Sequence, residues 1–273
     1  MRTRMFLFAV CALLAAASAH AHGPQIQITR DAGKIVTREI VDASSYHTVL
    51  SAPKSVYVMP LAQYLGVWRA QPSNSQLPDA TPEFVGWPGF AYGYGYDATT
   101  NPAPFPLGSK FVLSFTAGLQ SWDGAAFVDA GETEAEAYRG SSASPSALAR
   151  TSHSGPFQSL MFPGGAGISF TSEGGDAHNT VNYRMLGDGA STTSALLDGI
   201  YLLSLQLSST GASVAASDPF HFVLHKNPAQ GSVAAAIDSL GFAPELVQIV
   251  PEPGAWLLAT IGLAGLGRSR FVP

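Results

Sequence analysis

The stretch Tyr201-Leu202-Leu203-Ser204-Leu205-Gln206-Leu207-Ser208 places Tyr201, Leu203, Leu205 and Leu207 on one side and Ser204, Gln206 and Ser208 on the other. That two-residue period belongs to a strand with one face on a core and one in water. The same alternation returns in Phe111, Leu113 and Phe115, in Val181, Tyr183 and Met185, and in Ile26 and Ile28 against Gln25, Gln27 and Thr29. It returns again in Phe220, Phe222 and Leu224 against His221, Val223 and His225. Turn chemistry separates these runs. Asp31-Ala32-Gly33 joins 25–30 to 34–40 as a short hairpin, and Asp123-Gly124, Gly174-Gly175, Asp188-Gly189 and Asp198-Gly199 mark further turns. Helical spacing is scarce: 232–240 is the best short candidate, with 132–137 a lesser one. The stretches 71–82 and 141–154, polar or Ser/Ala-rich, read as loops. The expectation is an all-β body over 20–249, built as an antiparallel β-sandwich or a jelly-roll-like domain.

Composition narrows the function. Of 273 residues, 46 % are hydrophobic, ample for a large core, and only 12 % are charged, about half the usual share. The net charge of −5 offers no basic footprint for nucleic acid. The single cysteine, Cys11, lies in the N-terminal apolar run. A mature chain that loses this run has no disulfide, no cysteine-ligated zinc and no cysteine nucleophile.

That run reads as an export signal. Arg2 and Arg4 precede the apolar residues 5–17, and Ala17-Ser18-Ala19 supplies the small residues at which signal peptidase cuts. As a helix the run spans roughly 20 Å, short of the ~30 Å hydrocarbon core. Residues 1–19 are therefore expected to form a removable signal helix. Cleavage after Ala19 leaves His20-Ala21-His22 at the new N-terminus. Its amine, two deprotonated amides and the His22 imidazole suit a square plane around Cu(II) or Ni(II). Cleavage after Ala21 also satisfies the rule, and then His22 offers its amine and ring to one metal. His178 enters the Val181/Tyr183/Met185 strand on the side of Asn182 and Arg184. If the first strand brings His20 or His22 near, His178 or His153 completes a Cu or Zn site.

At the other end, Pro251-Glu252-Pro253 precedes the apolar residues 254–267, and Arg268 and Arg270 follow. Fourteen apolar residues are ambiguous by length between a short span and a buried helix. The flanking arginines favour the membrane and would stay cytoplasmic. The order Pro-Glu-Pro, apolar helix, arginine pair resembles the PEP-CTERM sorting signal, over residues 250–273 alone. Two arginines and the trailing Phe271-Val272-Pro273 depart slightly from its pattern. The resemblance implies a short transmembrane helix, an exosortase-type enzyme acting near the motif, and a Gram-negative-type bacterial setting. It also implies retention at the inner membrane before processing, then delivery to the outer envelope or extracellular matrix.

The body carries no comparable motif. Ser51-Ala-Pro-Lys54 matches the S-x-x-K spacing, but Pro53 disfavours the helix that this chemistry requires. His221 and His225 sit about 13 Å apart on a strand, too far for one metal. The most distinctive stretch is 84–106, where Trp87, Phe90, Tyr92, Tyr94, Tyr96 and Phe105 sit among glycines and prolines. Tyr92, Tyr94 and Tyr96 share one strand parity against Gly93 and Gly95. Such a row either stacks on the sugar rings of an exopolysaccharide or folds inward to cap the core. The expected role is non-catalytic, structural or binding, in the cell envelope. The alternatives are a metal-binding envelope protein using His20 and His22, and a carbohydrate-active or glycan-binding protein.

Overall fold

The computed structural model describes residues 25–41, 50–64, 67–70, 89–92, 110–140, 145–151, 168–171, 177–179, 181–187, 196–210 and 214–250. The expected helices at 1–19 and 254–267 lie outside the described residues. What is described is mostly β, with a large curled mixed sheet, a smaller sheet and one short helix.

The small sheet is built on the hairpin of β1 (Gln25–Asp31) and β2 (Lys34–Val41). Its two-residue loop has φ of 46° at Ala32 and 80° at Gly33. Positive φ at both positions is the condition for a turn whose twist matches the flanking strands. β5 (Gly89–Tyr92) adds in parallel to β1, and β12 (Ala177–Asn179) adds antiparallel to β5.

The large sheet centres on three long strands: β3 (Val56–Tyr64), β14 (Gly199–Ser209) and β15 (Phe220–Lys226). β15 pairs antiparallel with β14 and parallel with β3. β3 changes partner along its other edge. Val56–Val58 pair in parallel with β16 (Val247–Ile249), and Leu61–Tyr64 pair antiparallel with β4 (Val67–Ala70). Beyond β4 lie β13 (Asn182–Leu186), β9 (Glu134–Gly140) and β10 (Pro145–Arg150). Beyond β14 lie β6 (Lys110–Phe115) and β11 (Ile168–Thr171). β7 (Gln120–Trp122) continues along β14 past β6 and carries β8 (Phe127–Asp129) on its outer edge. The sheet curls into a half-barrel that brings β10 close to β11 without a ladder between them. The expectation of an antiparallel body holds for most ladders, but the sheets are mixed: three ladders, β1·β5, β3·β15 and β3·β16, are parallel.

The alternation read from sequence decides what is buried. Tyr201, Leu203, Leu205 and Leu207 meet Phe220, Phe222, Leu224, Phe111, Leu113, Phe115, Tyr183 and Met185 inside the curl. Ile26, Ile28 and Ile35 of the hairpin fill the same core. Tyr57, Phe220, Phe222 and Tyr183 pack edge to face, with ring centroids 5.1–6.2 Å apart, an arrangement that adds to their burial. On the convex side, α1 (Ser232–Ser239) buries Ala236 against Val56, Val58, Ile200, Leu202 and Val223. This second core explains why β14 is apolar on both faces at its start and polar on one face from Ser204 onward.

Two expectations fail here. Residues 132–137, read as a lesser helix candidate, hold the start of β9, and 141–154, read as a loop, hold β10. In both, alanine and charge suggested no strand, yet cross-strand pairing supplies the stabilisation that local propensity lacks.

Candidate functional site

The densest constellation of charge lies on the outer side of β10, β9, β13 and β4. Alternation along β9 turns Ala135 and Ala137 into the core and Glu134, Glu136 and Tyr138 to the other side. Register does the rest. Arg150 stands opposite Glu136, Glu136 opposite Arg184, and Arg184 opposite Arg69. Four strands therefore contribute one row, Arg-Glu-Arg-Arg.

Glu136 is 0 % exposed. Its Oε1 accepts from Arg150 Nε at 2.9 Å and from Arg150 Nη2. Its Oε2 accepts from Arg184 Nε. Glu134, two residues along the same face, lies 3.7 Å from Arg150 Nε. The Arg184 guanidinium sits 5.0 Å from the Tyr138 ring centroid, within cation–π range. Two carboxylates about 7 Å apart along a strand fall in the spacing used for glycoside hydrolysis. Glu134 and Glu136 instead share one arginine and face no open surface. A general acid or base must reach a substrate proton within about 3 Å, and Glu136, sealed between two guanidinium groups, does not present an oxygen to one. What the row does is cross-link strands with charge-assisted hydrogen bonds.

His221 is the second notable group. Alternation turns it toward the convex side, where its Nδ1 lies 3.0 Å from Ser204 Oγ and its ring 5.3 Å from that of Phe242. Burial holds its pKa below the ordinary value of 6.5. His225, half-buried, follows on the same side of β15. The two histidines stand on one regular strand, as expected, and do not converge.

A third cluster closes one end of the curl. Lys226 Nζ lies 4.6 Å from the Trp68 ring centroid, donates to Leu196 O and pairs with Asp198 at 2.8 Å. The Lys226 hydrogen bond draws the Asp198 carboxyl below its ordinary range. Burial pushes the Tyr201 phenol up to about 12, and its hydroxyl donates to Leu197 O at 2.8 Å.

Ser51 and Lys54 serve separate partners. Ser51 Oγ donates to Gln27 Oε1 at 3.0 Å, while Lys54 Nζ donates to Glu245 O at 2.7 Å and pairs with Glu39 at 3.1 Å. The S-x-x-K spacing is therefore coincidental. His20, His22, His153, Tyr94, Tyr96, Pro251, Glu252, Pro253, Arg268 and Arg270 lie outside the described residues. The backbone of Tyr92 ends β5 opposite Ala177, and that of His178 pairs with Ala91. His178 thus belongs to the small sheet, whereas Asn182 and Arg184 belong to the large one, so it does not share their strand as expected. Among the described residues, no three His, Cys, Asp or Glu side chains gather as a metal would require. The Arg-Glu-Arg-Arg row escaped sequence reading, although Glu134-Ala-Glu-Ala carries a two-residue period that marks a strand with a charged face. No protein-family model and no curated protein sequence matches the chain.

Proposed function

We propose that the chain is an exported, non-catalytic component of the cell envelope or extracellular matrix, sorted through its C-terminal tail. The observation that carries this reading is the order Pro251-Glu252-Pro253, apolar 254–267, Arg268 and Arg270, behind an N-terminal run ending in Ala17-Ser18-Ala19. An exosortase-type enzyme acts near the motif after signal peptidase has removed 1–19. The body is a sandwich variant in which the small sheet and the curled sheet share one core. Its buried charges support the structural reading, because Glu136, Arg150 and Arg184 are engaged with one another across strands. Deleting 254–273 should release the body into periplasm or medium. If the full chain and the truncated chain both stay in the cytoplasm, the reading is wrong.

A second reading rests on His20-Ala21-His22 next to the cleavage site. Under it the mature N-terminus takes up Cu(II) near neutral pH and releases it in acid, since amine and imidazole bind only when unprotonated. His22→Ala should abolish uptake. N-terminal sequencing that begins at Gly23 or later removes this reading altogether. A glycan-binding role through Tyr92, Tyr94 and Tyr96 would show as retention on exopolysaccharide that is lost when the three tyrosines are replaced.

A further inference from the structure

The described stretch 214–250 is continuous and ends at Val250. That residue donates its N–H to Val58 O at 2.9 Å, and its side chain is 7 % exposed. The apolar segment begins at Gly254. Four residue steps separate the two Cα atoms, at most about 14 Å even when fully extended. The headgroup layer alone takes up roughly 5–8 Å on each side of the hydrocarbon. Fourteen residues as a helix span about 21 Å, less than the ~30 Å core, so mismatch draws the ends of the segment inward. The slack between body and bilayer is then a few ångströms.

Topology says which end is held there. β3, β15 and β16 run parallel and all point toward the start of β14; β16 ends in the row of Val58, β15 ends opposite Gly199, and β3 runs on to Tyr64 beside β4. The β7–β8 turn comes to the same end, because Ser121 pairs with Tyr201 and Trp122 leads on toward the turn. Four large apolar side chains are exposed among the described residues, and three of them belong to this end. Val128 lies in the row of Tyr201, Ile249 lies in the row of Val58 and Leu202, and Leu197 precedes β14. Leu197 is 74 % and Ile249 67 % exposed. Charges of both signs lie here: Asp123, Asp129 and Asp198, Lys226 on Asp198, and the row Arg69, Arg184, Glu136 and Arg150, which register sets level with Ala62, beyond the row of Pro60, His225 and Ile200. The two signs offset one another, and what holds this end down is the covalent tether aided by apolar contact. Thr210 marks the opposite end, some 36 Å away along the eleven residues of β14.

We propose that, while the tail is in place, the body lies directly on the bilayer with Val128, Leu197 and Ile249 at headgroup level and the Thr210 end pointing away. This rests on the membrane reading of 254–267. The test uses the chain lacking 1–19, which has no cysteine of its own, reconstituted into phosphatidylcholine vesicles carrying a headgroup nitroxide lipid. A fluorophore is placed on Leu197→Cys or on Thr210→Cys, both exposed or loop-edge positions. The expected result is several-fold stronger quenching at 197 than at 210. A 20-residue Gly/Ser spacer between Val250 and Pro251, with a reach of about 25 Å, should erase most of that difference. Equal quenching at the two positions on a vesicle-bound chain overturns the proposal and leaves the tail reading standing. Strong quenching at 197 that the spacer does not change overturns the tether as its cause. A chain that fails to float with the vesicles overturns both.

Discussion

Glu136→Gln tests the charge row most directly. The substitution keeps the volume and one acceptor oxygen but removes the negative charge that Arg150 and Arg184 share. Removing one partner of a fully buried ion pair costs about 3–5 kcal/mol, because the other charge is left without compensation. Here the two arginines differ. The Arg150 side chain is 33 % exposed and still has Glu134 within 3.7 Å, so it can turn toward water. Arg184 is 13 % exposed and carries most of the loss. The discounted expectation is about 2–4 kcal/mol, or a fall in melting temperature of roughly 4–16 °C for a domain of this size. Urea unfolding followed by tryptophan fluorescence, at unchanged slope, measures it. Glu136→Leu combined with Arg184→Met should be less destabilising than the sum of its single changes by at least about 2 kcal/mol, since the pair disappears together. A Glu136→Gln variant within about 0.5 kcal/mol of the parent, the range of ordinary surface changes, would refute the claim that this row holds β10, β9 and β13 together.

Three further outcomes follow from local geometry. Gly33→Val should destabilise by about 1–2 kcal/mol in the same urea assay, because φ of 80° is costly for a branched side chain, whereas Ala32→Asn should be neutral or mildly stabilising; a tolerated Gly33→Val would argue against the positive-φ turn. His221 is neutral in the folded state below the pH at which it protonates in the unfolded chain, so its contribution is complete above about 6.5 and declines as pH falls toward its lowered folded value. The urea midpoint should therefore drop between pH 7.5 and 5.5 by more in the parent than in His221→Gln, and equal drops would remove His221 from the account. Ala236→Asp places a charge against Val56, Val58 and Val223 and should cost at least about 2 kcal/mol by burial of an unpaired carboxylate, visible as faster hydrogen exchange across 232–239 if the helix lifts away.

The sequence made the half-buried strands legible wherever one face was continuously apolar. Tyr201 to Leu207, Phe220 to Leu224, Phe111 to Phe115 and the hairpin at Asp31-Ala32-Gly33 stand where their period and turn residues put them, and the short helix near 232–239 follows from its alanines. β9 and β10 were illegible for a physical reason. Ala135, Ala137 and Ala149, which face the core, favour helix in isolation, and Glu136 and Arg150 find their partners across the sheet. Arg150, Glu136, Arg184 and Arg69 are far apart in the chain, and no local pattern shows that register aligns them. The parallel ladders were hidden likewise, because nothing in Val56–Pro60 specifies His221–His225 as its neighbour. Of the residues proposed for metal, glycan and sorting, only the backbones of Tyr92 and His178 fall within the described residues, and His178 pairs in the small sheet, away from the strand of Asn182 and Arg184.

β3 gains its two parallel neighbours from the far end of the chain: Val56 waits for His221 and Val247. During synthesis from the N-terminus, the row of backbone donors and acceptors on β3 is made early and satisfied last. Non-local parallel pairing of this kind closes slowly, and an unpaired strand carrying Val56, Tyr57, Val58 and Met59 is an attractive template for another chain. The nascent protein therefore passes through a vulnerable interval that ends only when β16 arrives. A holdase that covers β3 during that interval would act on yield without touching the stability of the finished fold.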